Sequence, residues 1–216
     1  MGRDGAWRRA RLRAARLYVV SGARRGRNDL GAFLESVLRG GADIIQLREK
    51  DAGVADLIEW AAMFRAAASR HDALFILNDR ADVALAVEAD GVHLGQDDLP
   101  CAVARNILGP DAVIGLSTHN ASQLVAAPDD ADYFGVGPVF GAPTKPGPPA
   151  TGLELVRDAA ARERAGTECR PWFAIGGVEE STVGAVVSAG ATRVAVVRAV
   201  DRDNAESAAA GLCAAL

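Results

Sequence analysis

Residues 172–197 have the sequence WFAIGGVEESTVGAVVSAGATRVAVV, and this stretch contains one complete strand–helix–strand unit. The apolar runs 172–175 and 194–197 have the length of buried strands. The alanine- and valine-rich segment 181–189 between them is typical of a helix, since alanine is the best intrinsic helix former. Gly190 follows this segment, where a helix ends and turns into the next strand. The order of strand, helix and strand predicts a parallel pair.

The same unit repeats along nearly the whole chain of 216 residues. Helical stretches at 56–69, 121–127 and 153–165 separate further apolar runs. Strict alternation predicts an α/β protein, and eight strands favour closure into a single (β/α)8 TIM-type barrel. An open doubly wound sheet is the alternative, but the turn at 21–24 lacks the glycine pattern of dinucleotide-binding proteins. The eight predicted strands are 17–20, 43–47, 74–77, 91–94, 113–116, 133–136, 172–175 and 194–197.

Composition and charge are those of an ordinary globular protein, with 50% hydrophobic and 24% charged residues. The net charge of -4 gives no overall attraction to nucleic acid. No segment reaches the roughly 20 apolar residues that cross a membrane. The three cysteines are widely spaced and form neither a disulfide framework nor a metal-ligand pattern. We expect a cytoplasmic protein that binds neither nucleic acid nor membranes.

The start of the chain is strongly basic, with nine arginines and only one acid, Asp4, before Asn28. Such a start is found in transit sequences and in nucleic-acid-binding arms. Apolar residues recur here at helical spacing, however, which favours a short helix from Trp7 to Arg16 at the bottom of the barrel. We expect residues 1–16 to form this basic segment and residues 17–216 to form the barrel domain.

Cationic side chains follow the second predicted strand. Gln46, Arg48 and Lys50 share one face if the strand pleat continues past the apolar run. A guanidinium binds oxygens bidentately and an ammonium adds a point charge, so the pair suits a diphosphate. In the alternative interpretation, Glu49 and Asp51 neutralise both cations at a solvated rim.

Carboxylates follow the next two strands, at Asp79 and Asp98. Carboxylates on adjacent strand ends can share a Mg²⁺ ion, which also takes phosphate oxygens of a substrate. Helix capping is the alternative for Asp98, because a helix start at Pro100 fits the sequence. His93 and His119 are candidates for acid–base chemistry, although a lone histidine is more often structural.

Glycines and a long loop follow the last three strands. Gly177 follows the seventh strand and Arg198 follows the eighth, where barrel loops often bind a phosphate through backbone N–H groups. Residues 137–152 form a loop with five prolines, and a loop of this length is typical of a lid or a binding loop. Lys145 in this loop either reaches a diphosphate or is solvated.

Together these strings closely resemble the thiamine-phosphate synthase (thiamine-phosphate pyrophosphorylase) family. The resemblance extends from Leu17 to about Ala199, nearly the whole predicted barrel. The most specific strings are QLREK at 46–50, NDR at 78–80, GVHLGQDDL at 91–99, IGLSTH at 114–119, GVGPVF at 135–140, TK at 144–145 and AIGG at 174–177.

The family joins hydroxymethylpyrimidine diphosphate to a thiazole phosphate (or its carboxylate) and releases pyrophosphate. The resemblance implies that Asp79 and Asp98 hold Mg²⁺. It implies that the pyrimidine diphosphate meets Gln46, Arg48, Lys50, Asn78, Ser117 and Lys145. It implies that the thiazole phosphate meets Ala142, Pro143, Thr144, Gly177, Val197 and Arg198. The residues implied to act in catalysis are Arg48, Lys50, Ser117 and Lys145.

Two positions depart from the family pattern. Ala142 stands where the family usually has threonine, which removes one hydroxyl donor. Arg198 stands where the family often has serine, and a guanidinium suits a nearby phosphate. We expect Arg198 to compensate for the missing hydroxyl.

Two other functions compete with this interpretation. The related thiazole tautomerases use the same barrel but act on the thiazole phosphate alone, so they need no diphosphate clamp and no paired metal carboxylates. A non-catalytic sensor of thiamine phosphates would need an output domain or an exposed apolar helix. The sequence offers neither. The synthase is favoured over the tautomerase by the set Arg48, Lys50, Asp79, Asp98 and Lys145.

Overall fold

The structure is a computed structural model that describes residues 3–141 and 150–216. Eight parallel strands form a closed barrel, in which each strand pairs with its neighbours in sequence and β8 pairs with β1. The predicted (β/α)8 TIM-type barrel is confirmed. The strands are β1 Leu17–Ser21, β2 Ile44–Leu47, β3 Leu74–Asn78, β4 Gly91–Leu94, β5 Val113–Thr118, β6 Tyr133–Val136, β7 Trp172–Ile175 and β8 Val194–Val196.

Helices alternate with the strands and cover the outside of the barrel. Five of them, α1, α3, α6, α7 and α8, lie within a few residues of the predicted helical stretches, whereas the full bounds of α2, α4, α5 and α9 were not predicted. None of the helices in the described ranges is long and apolar enough to cross a membrane. The helices are α1 Gly5–Ala14, α2 Leu30–Arg39, α3 Val54–Arg70, α4 Ala81–Ala86, α5 Cys101–Leu108, α6 Ala121–Val125, α7 Gly152–Arg164, α8 Val183–Ser188 and α9 Ala205–Ala215.

Two hydrophobic clusters form on opposite sides of the sheet, because successive strand side chains point to opposite faces. The larger cluster lies between strands and helices and includes Val19, Ile45 and Phe75. The smaller cluster fills the barrel interior. It consists of Leu12, Ala15, Tyr18, Val20, Ile44, Leu74, Ile76, Val113, Tyr133, Phe173 and Ala195.

Helix α1 closes the bottom of the barrel, where the strands begin. The Asp4 side chain accepts a hydrogen bond from the Trp7 backbone N–H at 2.8 Å and so caps the helix. Leu12 belongs to the interior cluster, and Trp7 packs against it. The helix predicted from Trp7 is present and begins at Gly5.

The basic residues of this first segment pair with acids at the bottom of the barrel. Asp90, which precedes β4, is 3.1 Å from Arg8 Nε and also accepts a hydrogen bond from the Phe75 backbone N–H at 2.9 Å. Asp132, which precedes β6, is 3.2 Å from Arg9 Nε. The arginine-rich start therefore has a structural function in the fold, because its ion pairs connect α1 to the strands.

Candidate active site

The described site residues gather at the carboxyl end of the barrel, around one mouth. Gln46 and Ser117 lie on strands β2 and β5, and their side chains belong to the interior of the barrel. Asn78, Asp79, Asp98, Arg48, Lys50, Gly177, Val197 and Arg198 lie at or just beyond strand ends. The predicted residues Ala142, Pro143, Thr144 and Lys145 lie outside the described residues.

Asp79 and Asp98 form a carboxylate pair at the ends of β3 and β4. Burial raises the pKa of Asp79 to about 6, and the hydrogen bond to Asp98 and the charge of Asp98 act in the same direction. The charges of Lys50 and Arg48 oppose this rise. Lys50 Nζ lies 3.7 Å from Asp79 Oδ2. Two carboxylates this close repel each other when both are ionised, so the pair favours a bound cation.

The turn after β3 brings Asp79 to this position. Its backbone has a φ of +63°, a left-handed conformation that Asp and Asn adopt more readily than most residues. The Asp79 backbone N–H donates to the His93 carbonyl oxygen at 2.9 Å, which ties the turn to β4. The sequence strings at 78–80 and 91–99 are therefore joined directly in space.

Asp98 holds the turn after β4 and does not cap a helix. Its Oδ2 accepts a hydrogen bond from the Gly95 backbone N–H at 2.7 Å. Helix α5 begins at Cys101, and its N-cap residue Pro100 makes no side-chain capping bond. The capping alternative for Asp98 is wrong, because the helix begins too far along the chain.

The carboxylate pair fits Mg²⁺ better than a transition metal. Within residues 3–141 and 150–216, no group of three or more His, Cys, Asp or Glu side chains could hold a metal ion. Mg²⁺ commonly takes only one or two protein carboxylates, and substrate phosphates and water complete its shell. Asp79 and Asp98 form a donor set of this kind.

Arg48 and Lys50 are exposed at the mouth, whereas Gln46 is buried below them. The Arg48 backbone N–H donates to the Ser21 carbonyl oxygen at 2.9 Å, so the β1–β2 ladder continues one residue past β2. The charges of both cations act on Asp79. Lys50 is therefore paired with the carboxylate pair, and Arg48 is close enough for its charge to lower the pKa of Asp79.

Glu49 points away from this cluster. It accepts a hydrogen bond from the Ala23 backbone N–H at 2.9 Å, and Arg25 Nε lies 3.8 Å from it. In the described part of the chain, the acidic partner of Lys50 is Asp79. The rim alternative, in which Glu49 neutralises the cations, does not describe this arrangement.

The two candidate histidines are held by hydrogen bonds. His93 Nε2 is 3.0 Å from Ser117 Oγ, and its Nδ1 is 3.2 Å from the Tyr133 hydroxyl. Burial lowers the pKa of His93 to about 4, so the ring is neutral at physiological pH. His119 Nδ1 is 2.6 Å from the Gly137 carbonyl oxygen. Both rings therefore have structural partners.

Two tyrosines that were not predicted from the sequence, Tyr18 and Tyr133, also contribute to the site. The Gln46 Nε2 group donates to the Tyr18 hydroxyl, and this hydroxyl is 2.9 Å from that of Tyr133. The available signal was a tyrosine within each of two otherwise apolar strands, β1 and β6. Nothing in the local sequence shows that these strands face each other across a barrel.

The opposite side of the mouth is formed by the segments after β7 and β8. Gly176 and Gly177 have φ values of +97° and +67°, and a Cβ on Gly177 would lie 2.7 Å from Phe140 Cβ. Both conformation and space therefore require glycine at Gly177. Arg198 opens a 3₁₀ turn after β8, and its guanidinium lies 3.7 Å from the Glu179 carboxylate.

Comparison with known proteins gives one consistent result. The family model described as thiamine monophosphate synthase matches residues 17–200. The thiamine-phosphate synthase of Acidothermus cellulolyticus is 51% identical over 205 residues, which cover 93% of this chain and 95% of that protein. That of Saccharopolyspora erythraea is 50% identical over 219 residues, covering 98% and 97%.

A solved structure agrees with these relatives. The thiamine phosphate pyrophosphorylase of Pyrococcus furiosus superimposes with a TM-score of 0.81 at 33% sequence identity, and the match covers 96% of each chain. The chain therefore belongs to the thiamine monophosphate synthase family and is a transferase of thiamine biosynthesis.

Proposed function

We propose that this protein joins hydroxymethylpyrimidine diphosphate to thiazole phosphate, with release of pyrophosphate and formation of thiamine phosphate. The main support is the juxtaposition of two environments at one mouth. The Asp79–Asp98 pair and Lys50 suit a metal-bound diphosphate, whereas the buried Gln46 and the half-buried Ser117 in the barrel interior suit a flat heterocycle. The names of the relatives agree with this activity.

The diphosphate meets the charged part of this mouth. Asp79 and Asp98 would hold Mg²⁺, which when bound neutralises charge on the diphosphate. Arg48 and Lys50 bind the diphosphate oxygens from the side of β2. We assign further contacts with the pyrimidine diphosphate to Asn78, Gln46, Ser117 and Lys145.

The reaction is a substitution at the methylene carbon of the pyrimidine. The thiazole nitrogen forms the new carbon–nitrogen bond, and the carbon–oxygen bond to the diphosphate breaks with its electron pair leaving on pyrophosphate. The protein supplies no nucleophile, and the substitution itself requires no proton transfer by His93. Its residues align the two substrates and stabilise the departing charge.

The thiazole phosphate binds on the opposite side of the mouth. Gly177 would offer its backbone N–H, as loops after the seventh strand of such barrels often do. Arg198 would add a charge-assisted contact beside Val197. We assign the remaining contacts to Ala142, Pro143 and Thr144.

Mixing the purified protein with both substrates tests the proposed function. We expect release of pyrophosphate and formation of thiamine phosphate, each dependent on Mg²⁺ and on both substrates. A thiazole tautomerase would isomerise the thiazole phosphate alone and release no pyrophosphate. A sensor would bind thiamine phosphate without turnover, and either result contradicts the proposal.

The role of Lys50 is tested with Lys50→Met, which keeps the apolar stem and removes the charge. Negative charge builds on the leaving diphosphate, so we expect kcat to fall about 10- to 100-fold. Arg39→Met, which removes a cation from the outer helix α2, is the control and should leave kcat unchanged. An unchanged kcat with only a raised KM for Lys50→Met would indicate uniform binding instead.

Two broader proposals accompany this function. We place the protein in the cytoplasm, because Cys101, Cys169 and Cys213 are all free thiols. We also propose that residues 1–16 act as a structural bottom segment and that residues 17–216 form the catalytic barrel. The contacts of α1 with Asp90 and Asp132 support this division.

A further inference from the structure

A chain of hydrogen bonds crosses the barrel interior between Gln46 and Ser117. The Gln46 Nε2 group donates to the Tyr18 hydroxyl at 2.5 Å, and this hydroxyl lies 2.9 Å from that of Tyr133. The Tyr133 hydroxyl is 3.2 Å from His93 Nδ1, and His93 Nε2 is 3.0 Å from Ser117 Oγ. The five side chains come from five different strands, so the chain exists only in the closed barrel.

The surroundings of this chain are apolar. The rings of Tyr18 and Tyr133 meet Phe173 edge-on, at centroid distances of 5.3 and 5.8 Å. Tyr18 is 2% exposed and Tyr133 is 0% exposed, and burial raises the pKa of both hydroxyls, so both stay neutral. Barrel interiors are usually filled by branched apolar residues, which need no buried hydrogen bonds. A buried chain of hydrogen bonds in this place therefore indicates a function for the two side chains at its ends, Gln46 and Ser117.

Gly115 on strand β5 leaves the space that the rings of Tyr133 and His93 need in the hydrogen-bond chain. In the sheet, Gly115 lies between His93 on β4 and Tyr133 on β6. A Cβ at this position would lie 2.1 Å from Tyr133 Cζ and 2.5 Å from His93 Nδ1. Any other residue would push these two rings apart, so Gly115 is needed for the hydrogen bond between them.

We propose that Tyr18, Tyr133 and His93 are positioning residues, which join Gln46 and Ser117 in one hydrogen-bond chain that donates from Gln46 towards Ser117. The inference rests on the proposed function, in which Gln46 and Ser117 meet the pyrimidine. Each member between the two ends accepts one hydrogen bond and donates one, so the direction at one end fixes the direction at the other.

This direction determines what each end offers to a ligand. His93 carries its proton on Nε2 and donates it to Ser117 Oγ, so the Ser117 hydroxyl keeps its own hydrogen for the ligand. Gln46 uses its Nε2 on Tyr18 and keeps Oε1 as an acceptor. An aminopyrimidine has ring nitrogens that accept and an exocyclic amine that donates. The Ser117 hydroxyl can therefore donate to a ring nitrogen, and Gln46 Oε1 can accept from the exocyclic amine.

The position of the His93 proton tests the chain directly. NMR of the substrate-free protein with nitrogen-labelled histidine, assigned with His93→Gln, should show the proton on Nε2 and an unprotonated, hydrogen-bonded Nδ1. In Tyr133→Phe the Nδ1 resonance should shift towards that of a nitrogen without a donor. The kcat/KM for the pyrimidine diphosphate should fall about 10- to 100-fold, since two buried groups lose their partner.

A double variant and a packing control separate the chain from simple structural damage. Combining Tyr18→Phe with Tyr133→Phe should cost little more than the worse single change, because both break the same chain. Phe173→Leu removes contacts with both tyrosines but no polar atom. It should lower the melting temperature and leave the His93 tautomer unchanged. If Tyr133→Phe does not fold, Tyr18→Phe provides the same kinetic test.

Several results would overturn the inference. These are a proton on His93 Nδ1, a wild-type kcat/KM in the tyrosine variants, and losses that multiply in the double variant. The tautomer is measured without substrate. A wild-type protein with the expected tautomer that releases no pyrophosphate would therefore contradict the proposed function while supporting the chain.

Discussion

The ionised carboxylate of Asp79 lowers the stability of the folded protein, although the same carboxylate is part of the proposed Mg²⁺ site. Burial and the neighbouring Asp98 raise the pKa of its carboxyl from 3.8 to about 6. The folded protein therefore binds this proton more tightly than the unfolded chain does. The resulting stabilisation is complete below pH 3.8 and is lost as the pH rises through about 6.

Asp79→Asn should therefore stabilise the protein at neutral pH. Asn tolerates the left-handed backbone at this position, so the change removes the charge without adding strain. We expect a gain of about 1 kcal/mol after allowance for solvent screening, or roughly 2–4 °C in melting temperature. The gain should shrink as the pH is lowered towards 4, while Mg²⁺-dependent activity falls at every pH.

Thermal melts across this pH range measure the effect. Asp97→Asn, which removes an exposed carboxylate two residues after Gly95, is the matched control and should change stability by less than about 0.5 kcal/mol. A lower melting temperature for Asp79→Asn at neutral pH would show that the ionised carboxylate stabilises the fold, which contradicts the prediction.

Arg198, like Ala142, stands where this chain departs from the expected family pattern. If it replaces the hydroxyl missing at Ala142, the two positions share one phosphate and their substitutions should not be additive. Ala142→Thr should have little effect alone but should restore much of the affinity for thiazole phosphate in an Arg198→Ser background. Steady-state KM values of the wild-type protein, the two single variants and the double variant measure this. A KM that Arg198→Ser leaves unchanged in both backgrounds would refute the compensation.

Among the secondary-structure elements, α1 has the most distinct function. It closes the bottom of the barrel, and Asp90 connects it to the strands through Arg3, Arg8 and the Phe75 backbone N–H. Asp90 is 2% exposed, so its removal would leave buried donors without an acceptor. The mouth lies at the other end of the strands and should not be affected.

Asp90→Ala should therefore separate stability from activity. We expect a loss of about 2–4 kcal/mol in the free energy of unfolding with kcat unchanged below the melting temperature. Asp82→Ala, which breaks an exposed ion pair with Arg80 at 2.6 Å, is the control and should cost less than about 1 kcal/mol. Denaturant titration measures the free energy of unfolding of both variants. Equal losses would mean that the contacts of Asp90 with α1 do not stabilise the fold more than an exposed ion pair does.

For the whole molecule, closure of the barrel depends on close contact between neighbouring strands. At Gly91 on β4, a Cβ would lie 1.9 Å from the Val113 carbonyl oxygen on β5. Gly91→Ala should therefore prevent a native barrel, measured as loss of cooperative unfolding. Gly184→Ala is the matched control, because its Cβ in α8 would meet nothing within 4 Å and should stabilise that helix by about 0.5–1 kcal/mol. A cooperative, native Gly91→Ala would contradict this view of closure.

The sequence alone determined the order of the strands and the position of the mouth. Short apolar runs alternate with helical segments, and parallel strands bring their carboxyl ends together, so residues such as Arg48, Asp79 and Ser117 were bound to meet. The motif strings also led to the correct family. These features depend on local composition and on the order of residues, which a sequence displays directly.

Tertiary structure decided the remaining features. The first turn of α5 lies beyond Asp98, so its carboxylate is available at the mouth. Burial in the barrel interior lowers the pKa of His93 and keeps its ring neutral, and the basic start of the chain is paired with Asp90 and Asp132. The surroundings of His93 and the pairing of the basic start depend on groups far apart in the chain. They come into contact only when β8 pairs with β1 and the barrel closes, so no local pattern could have predicted them.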